Sequence, residues 1–145
     1  MPTKEIDRKI AVIFATDVVG YSTSMEANEV QTLKNLKACK KILDDLFIQH
    51  GGHVFNTAGD SVLAEFSSAV SAVVCASEFQ KLMRERNKSV ENFQKMEFRI
   101  GINMGDVVKE DGNLYGEGVN IAARLESLSK PNGICLSKNI YELVK

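Results

Sequence analysis

The order of its periodic segments constrains this chain most: strand, helix, strand, strand, helix, strand, with glycine punctuation between the middle strands. Lys9 to Ala15 (KIAVIFA) is a short continuous apolar run with β-branched residues, the pattern of a strand buried on both faces, and it ends at Asp17. From about Ser24 to His50, Val30, Leu33, Leu36, Cys39, Leu43, Leu46 and Phe47 recur at three- and four-residue steps with Lys, Asp and Glu between them. That spacing predicts one amphipathic helix, closed by Gly51 and Gly52. His53 to Asn56 and Ser61 to Phe66 read as short strands joined through Thr57-Ala58-Gly59-Asp60, a hairpin with Asp60 at its tip. Ser67 to about Arg86 is the second core helix, with Val70, Val73, Val74, Phe79, Leu82 and Met83 on its apolar face and Ser67 or Ser68 as N-cap.

Beyond a polar connection from Arg84 to Lys95, Met96 to Asn103 and Asp106 to Lys109 read as strands and Asp111-Gly112-Asn113 as a turn. Gly118 to Leu128 reads as a helix, Gly133 to Leu136 as a strand and Ser137 to Val144 as a final helix. The succession is the split βαβ arrangement of ferredoxin-like α+β folds, an antiparallel sheet with two helices on one face. With 145 residues, 44% of them hydrophobic, the chain suits one domain over residues 1–145 with a single core.

Charge and cysteine content narrow the function. Eighteen Lys and Arg against 19 Asp and Glu give a net charge of -1, and aromatic residues make up 7% of the chain, so neither a basic face nor a base-stacking surface for nucleic acid is indicated. Cys39, Cys75 and Cys135 are odd in number and lack CxxC spacing, which points to reduced, buried thiols rather than a disulfide framework or a zinc site. The start, MPTKEIDRKIAVIF, has no signal-peptide core, and no run reaches the roughly 18 apolar residues of a membrane span. A cytoplasmic location with no direct membrane contact is the expectation.

Three places carry chemistry. Asp17 ends an apolar strand and precedes Val18-Val19-Gly20-Tyr21-Ser22, where the backbone N–H groups of Gly20, Tyr21 and Ser22 could face an anion at a helix start. Asp60, at the hairpin tip, would converge with Asp17 in such a fold. Two hard oxygen ligands beside a phosphate cradle are what magnesium uses when it also binds substrate phosphates. Asn120 and Arg124 stand four apart and so share one helix face, offering a ribose-directed amide and a phosphate-directed guanidinium. Taken singly, Asp17 reads equally well as a helix cap, Asp60 as a turn residue and Asn120/Arg124 as a solvated stripe. His50 and His53 read as surface residues, and Tyr115 as packing at a helix entrance.

Taken together, FATDVVGYS, NTAGDSVLAEF, FRIGINMGDVV and YGEGVNIAARLE resemble, in order, the four signature stretches of the class III adenylate/guanylate cyclase catalytic domain, and the resemblance spans residues 10–145. It implies two Mg²⁺ ions, for which Mn²⁺ can substitute, bound by Asp17, Asp60 and the carbonyl of Val18. It further implies that Asn120 orients the ribose and Arg124 stabilises the transition state for cyclising ATP to cyclic 3′,5′-AMP and pyrophosphate. The implied assembly is a head-to-tail homodimer in which the aspartates come from one subunit and the Asn/Arg helix from the other. Asn56 and Asn113 stand at the base-reading positions, where adenine-specific relatives usually place Lys and Asp, and guanine-specific ones Glu and Cys. The pair matches neither set, and ATP is favoured only because relatives with this general pattern are mostly adenylate cyclases, with GTP as the alternative; a non-catalytic, dimerising regulatory module is the third reading. The family domain usually continues with further strands and a triphosphate-binding Lys, so a C-terminally truncated domain is expected.

Overall fold

The computed structural model describes residues 7–145. Its first strand, β1 (Asp7–Val18), runs antiparallel to two neighbours at once, pairing with β3 (Ser61–Phe66) on one side and with β4 (Phe98–Glu110) on the other. β2 (His53–Ala58) flanks β3, and β5 (Asn113–Tyr115) flanks β4, giving the order β2-β3-β1-β4-β5. Each of the two βαβ units thus has a foreign strand inserted between its own strands, as the split arrangement requires. The sheet is not wholly antiparallel, however, because β6 (Ile134–Leu136) pairs with β4 in parallel.

β1 is buried on both faces, as its continuous apolar run predicts, and each face has its own cover. Val12, Phe14 and Val18 join the larger core beneath α2 (Glu29–His50) and α3 (Ala69–Ser89), where Phe14, Phe47 and Phe66 pack ring against ring. Ala11, Ile13 and Ala15 point the other way, into a smaller core with Val107, Leu114, Val119 and Ala122. This second face is covered by α4 (Glu117–Leu128), so helices lie on both sides of the sheet rather than on one.

Several boundaries differ from the periodicity: α3 runs to Ser89, into the stretch read as a connection, and β2 runs on to Ala58. The helix expected over residues 24–50 is two helices, α1 (Tyr21–Ala27) and α2, because Asn28 adopts an extended conformation and caps α2 by accepting from the Gln31 N–H. In α2 the buried stripe starts with Thr32 and Asn35, leaving Val30 and Leu33 exposed. In α3 the stripe is Ala72, Cys75, Ala76, Phe79, Gln80 and Met83, whose small side chains allow close packing, so Val70, Val74 and Leu82 lie outward. Residues 98–110 form one strand rather than two, and Asn113 belongs to β5, with the turn confined to Asp111 and Gly112. α5 (Lys138–Val144) closes the chain. Among the described residues no helix is long and apolar enough to cross a membrane.

Candidate active site

Asp17 and Asp60 reach one end of the sheet from different strands. Asp17 is the penultimate residue of β1. Asp60 follows Gly59 in the two-residue connection of the β2–β3 hairpin, where Gly59 takes φ 58°, a left-handed conformation that suits glycine. The register of β3 on β1 sets Val62 opposite Thr16, which brings the hairpin tip alongside the end of β1. The Val18 N–H donates to Asp60 Oδ2 at 2.9 Å, fixing the Asp60 carboxylate one residue from Asp17.

Asp17 faces Arg99 across the β1–β4 ladder. Arg99 Nε donates to Asp17 Oδ1 at 3.1 Å and Arg99 Nη2 to Oδ2 at 2.9 Å, a bidentate pair of the kind that adds geometric precision to charge. Hydrogen bonding to Asp17 pushes the Arg99 guanidinium above its already high ordinary value. Arg99 also donates from Nη1 to the Ser127 carbonyl at 3.3 Å and lies 3.5 Å from Glu126 Oε2, an ion-pair distance without hydrogen-bond alignment. Burial, then the nearby Asp17 carboxylate, pushes Glu126 up to about 7, while Arg99 pulls the other way.

Glu126 reaches this cluster because α4 lies flush on β4. A Cβ on Gly101 would stand 2.3 Å from the Glu126 nitrogen and 2.4 Å from the Ala122 carbonyl oxygen. The start of the helix is pinned by buried Asn103, whose Nδ2 donates to the Gly118 carbonyl at 3.0 Å. Arg99 and Glu126 escape attention in the sequence, although both leave a trace: Arg99 is a lone charge in the otherwise apolar run FRIGI, and Glu126 lies four residues after buried Ala122 on the inward stripe of α4.

The remaining predicted residues sit elsewhere. Gly20 takes φ 66° and precedes α1, whose first turn has no side-chain cap, so Tyr21 and Ser22 stand at a helix start as expected. Asn120 and Arg124 are exposed on α4. At roughly 100° per residue they lie on the side of α4 turned away from Glu126, and hence away from the Asp17 of their own chain. Asn56 is exposed on β2, just after an irregularity at Phe55, and Phe55 tucks against the smaller core. β2 and β5, at opposite ends of the sheet order, approach to Cα distances within 8 Å, so the sheet curls to bring the strands of Asn56 and Asn113 together. Asn113 Oδ1 accepts the Leu114 N–H at 2.8 Å, and its Nδ2 donates to the Tyr115 hydroxyl at 3.2 Å. Tyr115 is therefore half-exposed and engaged with Asn113 rather than packing the helix entrance. His53 is exposed, while His50 pairs with Glu78 at 3.0 Å.

Residues 2–145 match the family model described as the adenylate and guanylate cyclase catalytic domain. The chain belongs to this cyclase family. A Rhizobium meliloti protein named "Putative adenylate cyclase 3" is 43% identical over 145 residues, covering 99% of this chain and 25% of that protein, so the chain spans a quarter of its relative's length. The solved Adenylate/Guanylate Cyclase/Hydrolase from Silicibacter pomeroyi is 40% identical, with a TM-score of 0.88 over 95% of this chain and 81% of that one. The guanylyl cyclase Cya2 is 29% identical, with a TM-score of 0.86 over 96% of this chain and 80% of that one. These likenesses identify the cyclase fold, and they include relatives named for either nucleotide.

The cyclase domain's two aspartates suit magnesium in donor chemistry. Among the described residues no group of three or more His, Cys, Asp or Glu side chains is arranged to hold a metal by itself. Magnesium characteristically takes one or two carboxylates and completes its shell with water and substrate phosphate. Asp17 accepts from Arg99 through both oxygens and lies within hydrogen-bond reach of Glu126, while Asp60 Oδ2 keeps a lone pair after accepting from Val18.

Proposed function

We propose that this cyclase domain converts ATP to cyclic 3′,5′-AMP and pyrophosphate at the interface of a head-to-tail homodimer. The observation that carries the reading is the Val18–Asp60 hydrogen bond, which sets a second carboxylate beside Asp17. Asp17, Asp60 and the Val18 carbonyl would hold two Mg²⁺ or Mn²⁺ ions, which when bound neutralise phosphate charge and make the 3′-hydroxyl a better nucleophile.

Asn120 would orient the ribose so that its 3′-oxygen stands in line with the bond from the α-phosphorus to the departing pyrophosphate. Arg124 would meet the charge that grows on the phosphoryl oxygens during transfer, and loss of such a preorganised group typically costs roughly a hundred- to thousandfold in rate. The uncapped N–H groups at Gly20, Tyr21 and Ser22 would receive phosphate oxygens. The outward direction of Asn120 and Arg124 on α4 supports the dimer: one chain turns its two half-sets apart, and a two-fold assembly can bring each to the complementary half of a partner.

ATP is favoured by the adenylate cyclase name of the 43%-identical relative. GTP is the second reading, left open by Asn56 and Asn113, since an amide can serve either base. Turnover of ATP and of GTP with Mg²⁺ or Mn²⁺ by the wild type and by Asp17→Ala tests the proposal. Formation of cyclic AMP by the wild type and its loss in Asp17→Ala is the expected result; silence with both nucleotides, also in a chain extended past Lys145, would transfer the reading to a regulatory module.

A further inference from the structure

A cavity of about 520 Å³ lies between the end of β1, α1, the last turns of α3, the entry to β4 and the loop before β6. That is the size of a small-ligand site, and neither Asp17, Asp60, Asn120 nor Arg124 lines it. Its walls are fastened to one another. Asn87 on α3 holds both backbone groups of Met96, donating to the carbonyl at 2.9 Å and accepting the N–H at 3.2 Å. The Val19 N–H donates to the Glu97 carbonyl at 2.8 Å, and the Asn132 N–H to the Phe98 carbonyl at 2.9 Å. The cavity is therefore built into the fold rather than left between loose loops.

Three cations line it: Arg84 and Lys88 from α3, and Lys95 from the connection to β4. Arg84 and Lys88 stand four apart on one helix face, where like charges repel. Their place near the C-terminus of α3 offsets part of that repulsion, but Lys95 adds a third charge from outside the helix. None of the three side chains has an ion-pair or hydrogen-bond partner among the described residues. The carboxylate in the wall, Glu97, does not neutralise them, since it accepts from the Asn132 amide instead. Three cations against one carboxylate leave a local excess of positive charge in a chain whose net charge is -1. The geometry points to an anion site in this cavity that takes a phosphate dianion, either free pyrophosphate or the phosphate of a nucleotide. The Arg84 guanidinium can give two parallel hydrogen bonds to phosphate oxygens, and Lys88 and Lys95 supply point charges. An occupant rests against backbone that also presents the aspartates, because Val18, in the cavity wall, follows Asp17 and donates to Asp60. Binding here needs neither metal nor turnover, so the site stands or falls apart from the cyclase reading.

Isothermal titration calorimetry of metal-free protein with sodium pyrophosphate, and separately with 5′-AMP, tests this in the wild type, Lys88→Gln, Lys95→Gln and Arg124→Ala. At least one probe should bind the wild type saturably, and more weakly as salt is raised. Each lysine change should weaken that binding by about tenfold or more, the size of one charge-assisted hydrogen bond, with the ligand-free Tm unchanged. Arg124→Ala should bind as the wild type does. Binding of pyrophosphate alone identifies the free anion as the ligand, and binding of 5′-AMP identifies a nucleotide phosphate. Absence of saturable binding with both probes, an affinity within twofold of wild type in either lysine variant, or loss of binding in Arg124→Ala, which would move the anion to the site described above, overturns the proposal.

Discussion

Arg99 grips Asp17 with two parallel hydrogen bonds, of 3.1 and 2.9 Å, from the neighbouring strand of the sheet. The carboxylate proposed to carry the metal is thus oriented by β4, and Glu126 on α4 stands behind the guanidinium. Arg99→Lys keeps the charge but loses the planar fork. It should lower kcat by about tenfold or more while Tm changes little, because the geometry and not the net charge is altered. Steady-state kinetics alongside thermal melts decide this, and an unchanged kcat would show that Asp17 needs no such support.

Glu126 predicts a pH dependence with a definite sign. Its folded-state value is raised from the usual 4.5 to about 7, so between those values the folded chain holds a proton that the unfolded chain has released. Stability therefore falls as pH rises through that window and levels off above it. Melts of metal-free protein from pH 5 to pH 8 should show a steeper decline for the wild type than for Glu126→Gln, which has no proton to lose. Parallel curves would contradict the assignment.

Gly101→Ala should damage folding and not chemistry as such. Its Cβ would overlap the backbone of α4 at Glu126 and Ala122, and neither backbone can step aside without moving the helix. A cost of about 3 kcal/mol and a fall in Tm of roughly 10 °C are expected from a calorimetric melt. A wild-type Tm would show that α4 sits farther from β4 than described.

The cysteines give a simple check on the core. Burial pushes the Cys75 thiol up to about 12 and raises Cys39 as well, so neither presents a thiolate near neutral pH. Cys135, half-buried on β6, should be the first of the three to react with a thiol reagent in native protein; rapid labelling of Cys75 would mean the α3 face opens readily.

Much of the architecture was legible in the sequence because strand and helix periods are local signals. The β1 run, the two-strand hairpin and Ser68 as the α3 cap all follow from neighbouring residues alone. The helix faces were harder: Ala72, Cys75 and Ala76 form the buried stripe of α3 because small residues allow close approach, whereas hydrophobicity alone favoured Val70, Val74 and Leu82. Within the candidate site, Asp17 and Asp60 could be paired by topology. Arg99 and Glu126 could not, since their roles arise only when β1, β4 and α4 are stacked and three carboxylates share one guanidinium. Likewise Asn113 reads as a turn residue until the positive φ values of Asp111 and Gly112 close the turn before it.

The most direct test of the account mixes two inactive variants, Asp17→Ala and Arg124→Ala, and measures cyclic nucleotide formation from ATP and GTP. In a head-to-tail dimer each mixed pair rebuilds one intact site from the undamaged half of each chain and leaves the other site doubly damaged. An equimolar mixture that exchanges subunits freely should recover about a quarter of wild-type activity. Activity no greater than the sum of the two variants alone would contradict a site shared between chains.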